Sequence, residues 1–256
     1  MKKLIIILIM ALSASTFAQT GIGTTTPNAS AQLDVSSTSK GFLPPRMTQT
    51  QRDLITPVEG LIVYNNSTHQ PNFYNGTEWM NYDGTSAKTP AIGDSYQGGV
   101  IAYILQSGDP GYDANVQHGL IAATSDQSTG IIWAVIAYQT SLISGTLTTI
   151  GSGLANTNLI VTQNGAGTTY AAGLCDAYAN TESGTGVYTD WYLPSKDELA
   201  KLYAMKALGF GGFGLNKYWS STESYSSLAW WQGFADGLRG GSNKANTYSV
   251  RAVRAF

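Results

Sequence analysis

A single cysteine, Cys175, stands in a chain of 256 residues, so neither an internal disulfide nor a cysteine-based zinc cluster can hold it together. Stability has to come from a packed core. Histidine is nearly absent too: His69 and His118 are the only two, and neither neighbours a motif of the Gly-x-Ser-x-Gly kind. Ser-His and Cys-His nucleophiles therefore have no support, no catalytic residue is assigned, and no cofactor is implied. Charge is scarce, at 12% of residues. Without Lys2 and Lys3, which fall in the leader described next, 12 basic residues (14 less 2) face 16 acidic ones, a net charge of about −4. Such a chain has no basic field with which to gather nucleic acid or an anionic membrane surface. What it has in quantity is Gly, Ser, Thr, Asn and Tyr, a composition shared by extracellular β-rich and surface-binding proteins.

The N-terminus reads as a cleavable secretory signal over residues 1–18. Lys2 and Lys3 give a positive n-region, Leu4 to Leu12 is an unbroken apolar run, and Thr16-Phe17-Ala18 places small residues where a signal peptidase reads. Cleavage after Ala18 is expected. A membrane anchor needs about 20 apolar residues, and this run ends in Ser13, Ser15 and Thr16. A lipid anchor would need a cysteine just after the run. The expectation is a secreted protein, extracellular, at the cell surface or periplasmic, with no membrane insertion after cleavage.

Beyond the leader, residues 19–82 read as a β-rich stalk or oligomerisation module. Its polar start, Gln19 to Lys40, has too few apolar residues to bury alone and orders only by packing against something else. Thr48 and Gln51 have capping-box spacing for a short helix ended by Thr56-Pro57. Gly60 to Tyr64 reads as a strand, and Asn75-Gly76 between aromatic segments signals a type I′ hairpin. Residues 83–90 lack apolar periodicity and read as a linker. In residues 91–256, Gly98 to Leu105 and Gly119 to Ala123 read as paired strands. Ala171, Leu174, Cys175 and Tyr178 share one helical face, and Ser195 with Glu198 caps a second helix that Gly209 ends. Strands follow at Lys217 to Thr222, Ala229 to Ala235 and Tyr248 to Phe256, the last leaving no room for a C-terminal sorting tail.

Five blocks in order, Gly98-Gly99-Val100-Ile101, Gly119-Leu120-Ile121-Ala122-Ala123, Asp190-Trp191-Tyr192-Leu193-Pro194-Ser195, Tyr218-Trp219-Ser220-Ser221-Thr222-Glu223 and Val250-Arg251-Ala252-Val253-Arg254-Ala255-Phe256, resemble the DUF1566 family. That family includes the C-terminal domain of the Legionella collagen-like adhesin and resembles the C-type-lectin-like fold. The resemblance implies an α+β domain, two helices flanking a twisted antiparallel sheet with its terminal strands paired, and a ligand surface on one sheet edge. In the adhesin relative that surface is associated with sulfated polysaccharides. Residues 20–82 resemble N-terminal modules of bacterial surface and tail-fibre-like proteins, which implies a homotrimeric stalk. The resemblance also implies a cysteine pair around the first helix. Here Cys175 is alone, with Gln163-Asn164-Gly165 where its partner would stand, and the calcium-dependent sugar motifs of animal C-type lectins are absent.

Candidate ligand contacts cluster near the C-terminal strands. Strand alternation places Trp230, Gln232, Phe234 and Asp236 on one face and Trp231, Gly233 and Ala235 on the other, so one tryptophan lies on the less buried side. Which one, the alternation does not say, and burial of both is the competing reading. An exposed indole beside Gln and Asp suits sugar recognition, the ring stacking on C–H faces while amide and carboxylate meet hydroxyls. Tyr225, Arg239, Asn243 and Lys244 lie in Tyr-, Ser-, Asn- and Gly-rich segments that resemble adaptable binding loops, and the two cations suit sulfate or carboxylate groups. The ordinary reading of each is a solvated loop residue. Trp191 and Trp219 read as core, and Arg251 and Arg254 as internally paired.

Asp109, Asp113 and Asn115 have oxygen ligands at spacings calcium uses, but the EF-hand Gly and Glu positions are unfilled, so an Asx-type turn is the default. The glycine-rich run Gly209 to Gly214 follows a helix and precedes a strand, the reverse of a phosphate loop. A non-catalytic adhesion protein binding glycan or surface protein is the leading reading, a structural fibre or envelope component the alternative. A glycan hydrolase using Glu223 and Asp236 is the remote third, which requires the two carboxylates at glycosidase spacing.

Overall fold

The computed structural model describes residues 19–114, 116–182 and 186–256; the leader, residues 1–18, and Asn115 lie outside the described residues. The chain divides into two compact units, one ending at Lys88 and one spanning Thr89–Phe256.

In the first unit, β1 (Thr20–Ile22) and β2 (Leu33–Val35) pair in parallel as a two-stranded ribbon. A four-stranded sheet holds the rest: β3 (Arg46–Met47), β4 (Ile62–Asn65), β5 (Gln70–Tyr74) and β6 (Trp79–Asn81), in that order. β3 and β4 are parallel, which requires a crossover, and α1 (Gln49–Asp53) lies in it behind the Thr48–Gln51 capping box. The apolar core is small, formed by Val63, Trp79 and Ala87. A buried polar centre supplements it: the Arg52 guanidinium donates to Asn72 Oδ1 (2.6 Å) and to the Ala87 carbonyl (2.8 Å) and lies 5.4 Å from the Trp79 ring centre.

The β5–β6 turn differs from the expected type I′. Asn75 N–H donates to the Glu78 carbonyl at 3.1 Å, so the central residues are Gly76 and Thr77, and only Gly76 has positive φ. The Asn75 side chain moves the turn by one position, its Oδ1 accepting from the N–H groups of Thr77 and Glu78 at 2.9 and 2.8 Å.

The second unit contains a four-stranded sheet, ordered β17-β9-β8-β7, and a five-stranded one, ordered β10-β16-β13-β14-β15. The first comprises β7 (Ser95–Tyr96), β8 (Gly99–Ile104), β9 (Gly119–Ala122) and β17 (Val253–Ala255). The second comprises β10 (Ser128–Ile132), β13 (Lys217–Tyr225), β14 (Leu228–Gly233), β15 (Arg239–Asn243) and β16 (Thr247–Val250). A ribbon of β11 (Asn180–Glu182) and β12 (Gly186–Tyr188) and three helices complete it: α2 (Gly153–Asn164), α3 (Ala171–Asp176) and α4 (Lys196–Ala207).

The expected α+β, C-type-lectin-like domain, two helices flanking a twisted antiparallel sheet, is therefore corrected. This unit is mostly sheet, its β13–β16 contact is parallel, and among the described residues its helices are three short α-helices and one 3-10 turn, Ile136–Tyr138, without that two-helix arrangement. α2 was not anticipated because its buried face carries Asn156 and Thr157 beside Ile160, which hides the apolar period. The expected continuous strand from Tyr248 to Phe256 is also two strands. The chain leaves one sheet at Val250 and joins the other at Val253, with Arg251 fully buried at the crossing.

Arg251 explains the crossing. Its guanidinium binds Asp126 (2.7 Å) and the carbonyls of Ala123 (2.9 Å) and Gly211 (2.7 Å), and stacks 4.2 Å from the Phe213 ring centre. The glycine-rich run thus turns carbonyls toward an internal cation, in keeping with its reading as a helix exit. A type I′ pair with positive φ at both central positions does occur, at Gln97 and Gly98 between β7 and β8. Arg254 holds that turn by donating to Gln97 Oε1 (2.7 Å) while pairing with Asp190 (2.7 Å). One core gathers Trp133, Trp191, Trp219, Ile160 and Cys175; a second lies between α4 and Tyr192, Tyr218, Phe234 and Val253.

Candidate functional site

β13, β14 and β15 form a meander whose register places Trp219 beside Trp231 and Gly240, and Tyr218 beside Gln232 and Arg239. Ala229 and Trp231 look toward the core that contains Trp219. Trp230 and Gln232 alternate onto the other face, where Phe234 packs with Leu199, Leu202 and Met205 of α4. Both Trp230 and Trp231 are half-buried. The indole of Trp230 carries the Lys196 ammonium 3.8 Å from its ring centre, and that of Trp231 carries Lys217 at 4.0 Å, with Tyr248 edge-on at 6.1 Å. Each cation–π contact contributes about 0.5–1 kcal/mol where water has access. Neither lysine was anticipated. Lys196 is the first residue of α4, held there by the Ser195 cap and by donation of its own N–H to Thr222 Oγ1 at 3.0 Å.

Gln232 is 3% exposed, and its Oε1 has no hydrogen-bond partner among the described residues. An unmet acceptor of this kind costs about 1–3 kcal/mol unless a ligand or water meets it. Across the strand pair, Arg239 is exposed and its Nη1 lies 3.8 Å from Asp197 Oδ1, a surface pair worth little. Trp230, Arg239 and Lys196 thus share one surface beside the start of α4, with Gln232 buried beneath it.

The remaining sequence candidates disperse. Tyr225, 70% exposed, and Asn243 sit at the other end of the meander, where Tyr225 and Asn243 both pair with Leu228. Asp236 is exposed beyond β14, its Oδ1 accepting from Leu238 N–H at 3.0 Å. Lys244 is fully buried, which takes it out of any surface contact set. Its ammonium makes a short ion pair with Glu223, donates to the Ser141 carbonyl at 2.8 Å and lies 4.8 Å from the Trp133 ring centre.

The hydrolase geometry fails for the same reason. Glu223 is enclosed by Lys244 and accepts from Ile143 N–H at 2.9 Å. It pairs with Ala229 at one end of β14, whereas Asp236 folds against Gly233 at the other, and Gly233 pairs with Lys217. Four residues of β14 separate those ends, about 13 Å, against the roughly 5–9.5 Å a glycosidase needs.

Asp109 serves its own turn, Oδ2 accepting from Tyr103 Oη (2.6 Å) and Gln106 N–H (2.8 Å). Burial would raise its pKa, but these hydrogen bonds outweigh it and hold the carboxyl below its ordinary value; burial and Asp109 together push Tyr103 up to about 12. Asp113 is exposed, and among the described residues no three His, Cys, Asp or Glu side chains gather as a metal site.

Residues 122–254 match the family model of the Lcl C-terminal domain, Lcl being the Legionella collagen-like protein. The chain belongs to that family. The Lcl C-terminal match includes every strand and helix of the surface just described, while residues 21–92 match the model of a phage tail like trimerisation region. Among solved structures, a fimbrial protein from Bacteroides ovatus ATCC 8483 aligns at 15% identity and a TM-score of 0.34, covering 66% of this chain. The chain spans less than half that protein, 46% of its length. No curated protein matches the chain. Among the described residues no helix is long and apolar enough to cross a membrane.

Proposed function

We propose that this Lcl C-terminal-domain protein is exported and acts at the cell surface as a homotrimeric, non-catalytic adhesin, with the unit ending at Lys88 as stalk and Thr89–Phe256 as binding domain. The observation that carries the reading is the conjunction, on one chain, of matches to a phage tail like trimerisation region and to the C-terminal domain of the Legionella collagen-like protein. The surface of Trp230, Arg239 and Lys196 is the proposed contact for a glycan bearing acidic or sulfate groups. It supplies a half-exposed indole and two cations, above the buried amide oxygen of Gln232. Displacing Lys196 from the indole would free both the ring for a pyranose and the ammonium for an anionic group.

A glycan array with the mature protein tests this. Trp230→Ala and Arg239→Ala should each weaken binding about tenfold, on the order of 1.4 kcal/mol. No binding to any acidic or neutral glycan, with adhesion unchanged by both substitutions, would refute it. The lysines already seated on both indoles favour a second reading, a fibre or envelope component whose terminal unit caps an assembly. That reading predicts a trimer without a soluble ligand.

A further inference from the structure

The first unit leaves much of its apolar surface uncovered. Phe42 is 67% exposed, Leu43 72%, Leu54 81% and Val58 70%. Phe42 and Leu43 form a stiff projection. Pro44 and Pro45 follow them, fixing their own φ and keeping Leu43 extended, and the Pro45 carbonyl is anchored by Tyr64 N–H at 2.8 Å. The same unit has a cavity of about 310 Å³ whose apolar lining is Ile55, Pro57, Tyr74 and Trp79, with Arg52 over the indole and Asp53, Thr77, Glu78 and Lys88 completing the wall. Leu54 and Val58 flank its lining residues in sequence, and Phe42 and Leu43 of the same chain take no part in it.

A closed ring of three identical chains cannot be built from one self-complementary patch; it needs two different patches, each meeting the other on the next copy. This module has such a pair, an exposed apolar segment stiffened by two prolines and a hollow with an apolar strip of Ile55, Pro57, Tyr74 and Trp79, and the trimerisation-region match covers both. We infer that Phe42 and Leu43 of one chain insert into the Ile55–Pro57–Tyr74–Trp79 cavity of a second copy of this chain, closing a head-to-tail trimer. The isolated ribbon of β1 and β2 agrees with this partner. Two strands of three residues with Ile22, Leu33 and Val35 exposed are not stable alone, and neighbouring copies would cover them. Pre-ordering by the two prolines lowers the entropy lost when the projection docks.

The inference rests on the trimer reading above, and mixing two surface variants of the full mature chain tests it separately. One variant removes the projection, Phe42→Ser with Leu43→Ser; the other charges the two exposed apolar residues next in sequence to the cavity lining, Leu54→Arg with Val58→Arg. All four positions are exposed, so the fold should survive, as circular dichroism would verify. Light scattering should give trimers for the natural chain and monomers for either variant alone. Mixed one to one, the variants should form pairs and no trimers, because one intact projection then meets one intact cavity. Trimers from either variant alone, or a mixture that stays monomeric, would overturn the insertion while leaving the trimer reading standing. A natural chain that is itself monomeric would overturn both.

Discussion

At the scale of single residues, the buried cations carry more of the second unit than its surface charges do. Lys244 and Glu223 are both nearly devoid of solvent contact, and each also satisfies main-chain groups of the segment from Ser141 to Ile143. Removing one partner strands a charge in low dielectric. Lys244→Met or Glu223→Gln should therefore cost about 3–5 kcal/mol, and the double substitution less than either, as chemical denaturation would show. Glu198 behaves differently. It is buried, and although it accepts from Gly151 N–H (2.8 Å) and Ser195 N–H (2.7 Å), burial dominates and holds its pKa above the ordinary 4.5. Between that value and its raised one, the folded chain retains a proton that the unfolded chain has lost. Stability from this group should accordingly fall as pH rises through the window. Glu198→Gln should flatten that part of the profile, measured as denaturant midpoints at successive pH values. Gly153 is fixed by the same carboxylate, since a Cβ there would lie 2.2 Å from Glu198 Oε2.

At the scale of elements, the helices divide by how their ends and faces are written. Both capping boxes, Thr48–Gln51 and Ser195–Glu198, form as their spacing predicts, because the interaction is local. α2 escaped the same reasoning because Asn156 occupies its buried side. That side chain accepts from Leu147 N–H (2.8 Å) and donates to the Leu147 carbonyl (2.7 Å), acting as a surrogate strand partner for a loop. Asn156→Ala should destabilise by about 1–3 kcal/mol, since it takes the partner from Leu147 N–H while the Leu147 carbonyl keeps Thr222 Oγ1 at 2.9 Å, and differential scanning calorimetry would register the loss. Hydrogen exchange at Leu147 should accelerate in the same variant.

For the whole molecule, the two units have unequal means of stability. The second encloses two apolar cores, whereas the first has three core residues and, in the trimer inferred above, would cover its exposed apolar side chains with neighbouring copies. Calorimetry of the mature chain should thus give two transitions, the lower rising in temperature with protein concentration and the upper independent of it. One concentration-independent transition would contradict this division. The proposed ligand surface lies in the second unit, so a glycan that binds there should raise the upper transition selectively.

Some of this was written in the amino-acid order itself. Trp191 and Trp219 as core, Cys175 on a buried helical face, the pairing of β8 with β9 and the internal use of Arg251 and Arg254 all follow from short-range pattern and the cost of burying unpaired charge. The tertiary structure decided what depends on contacts between distant segments. It split the last strand between two sheets, buried Lys244 against Glu223, seated Lys196 and Lys217 on the two indoles, and separated Glu223 from Asp236 by the length of a strand. A lone sequence records which side chains exist and how each segment alternates; only the register between strands far apart in the chain sets which of them meet.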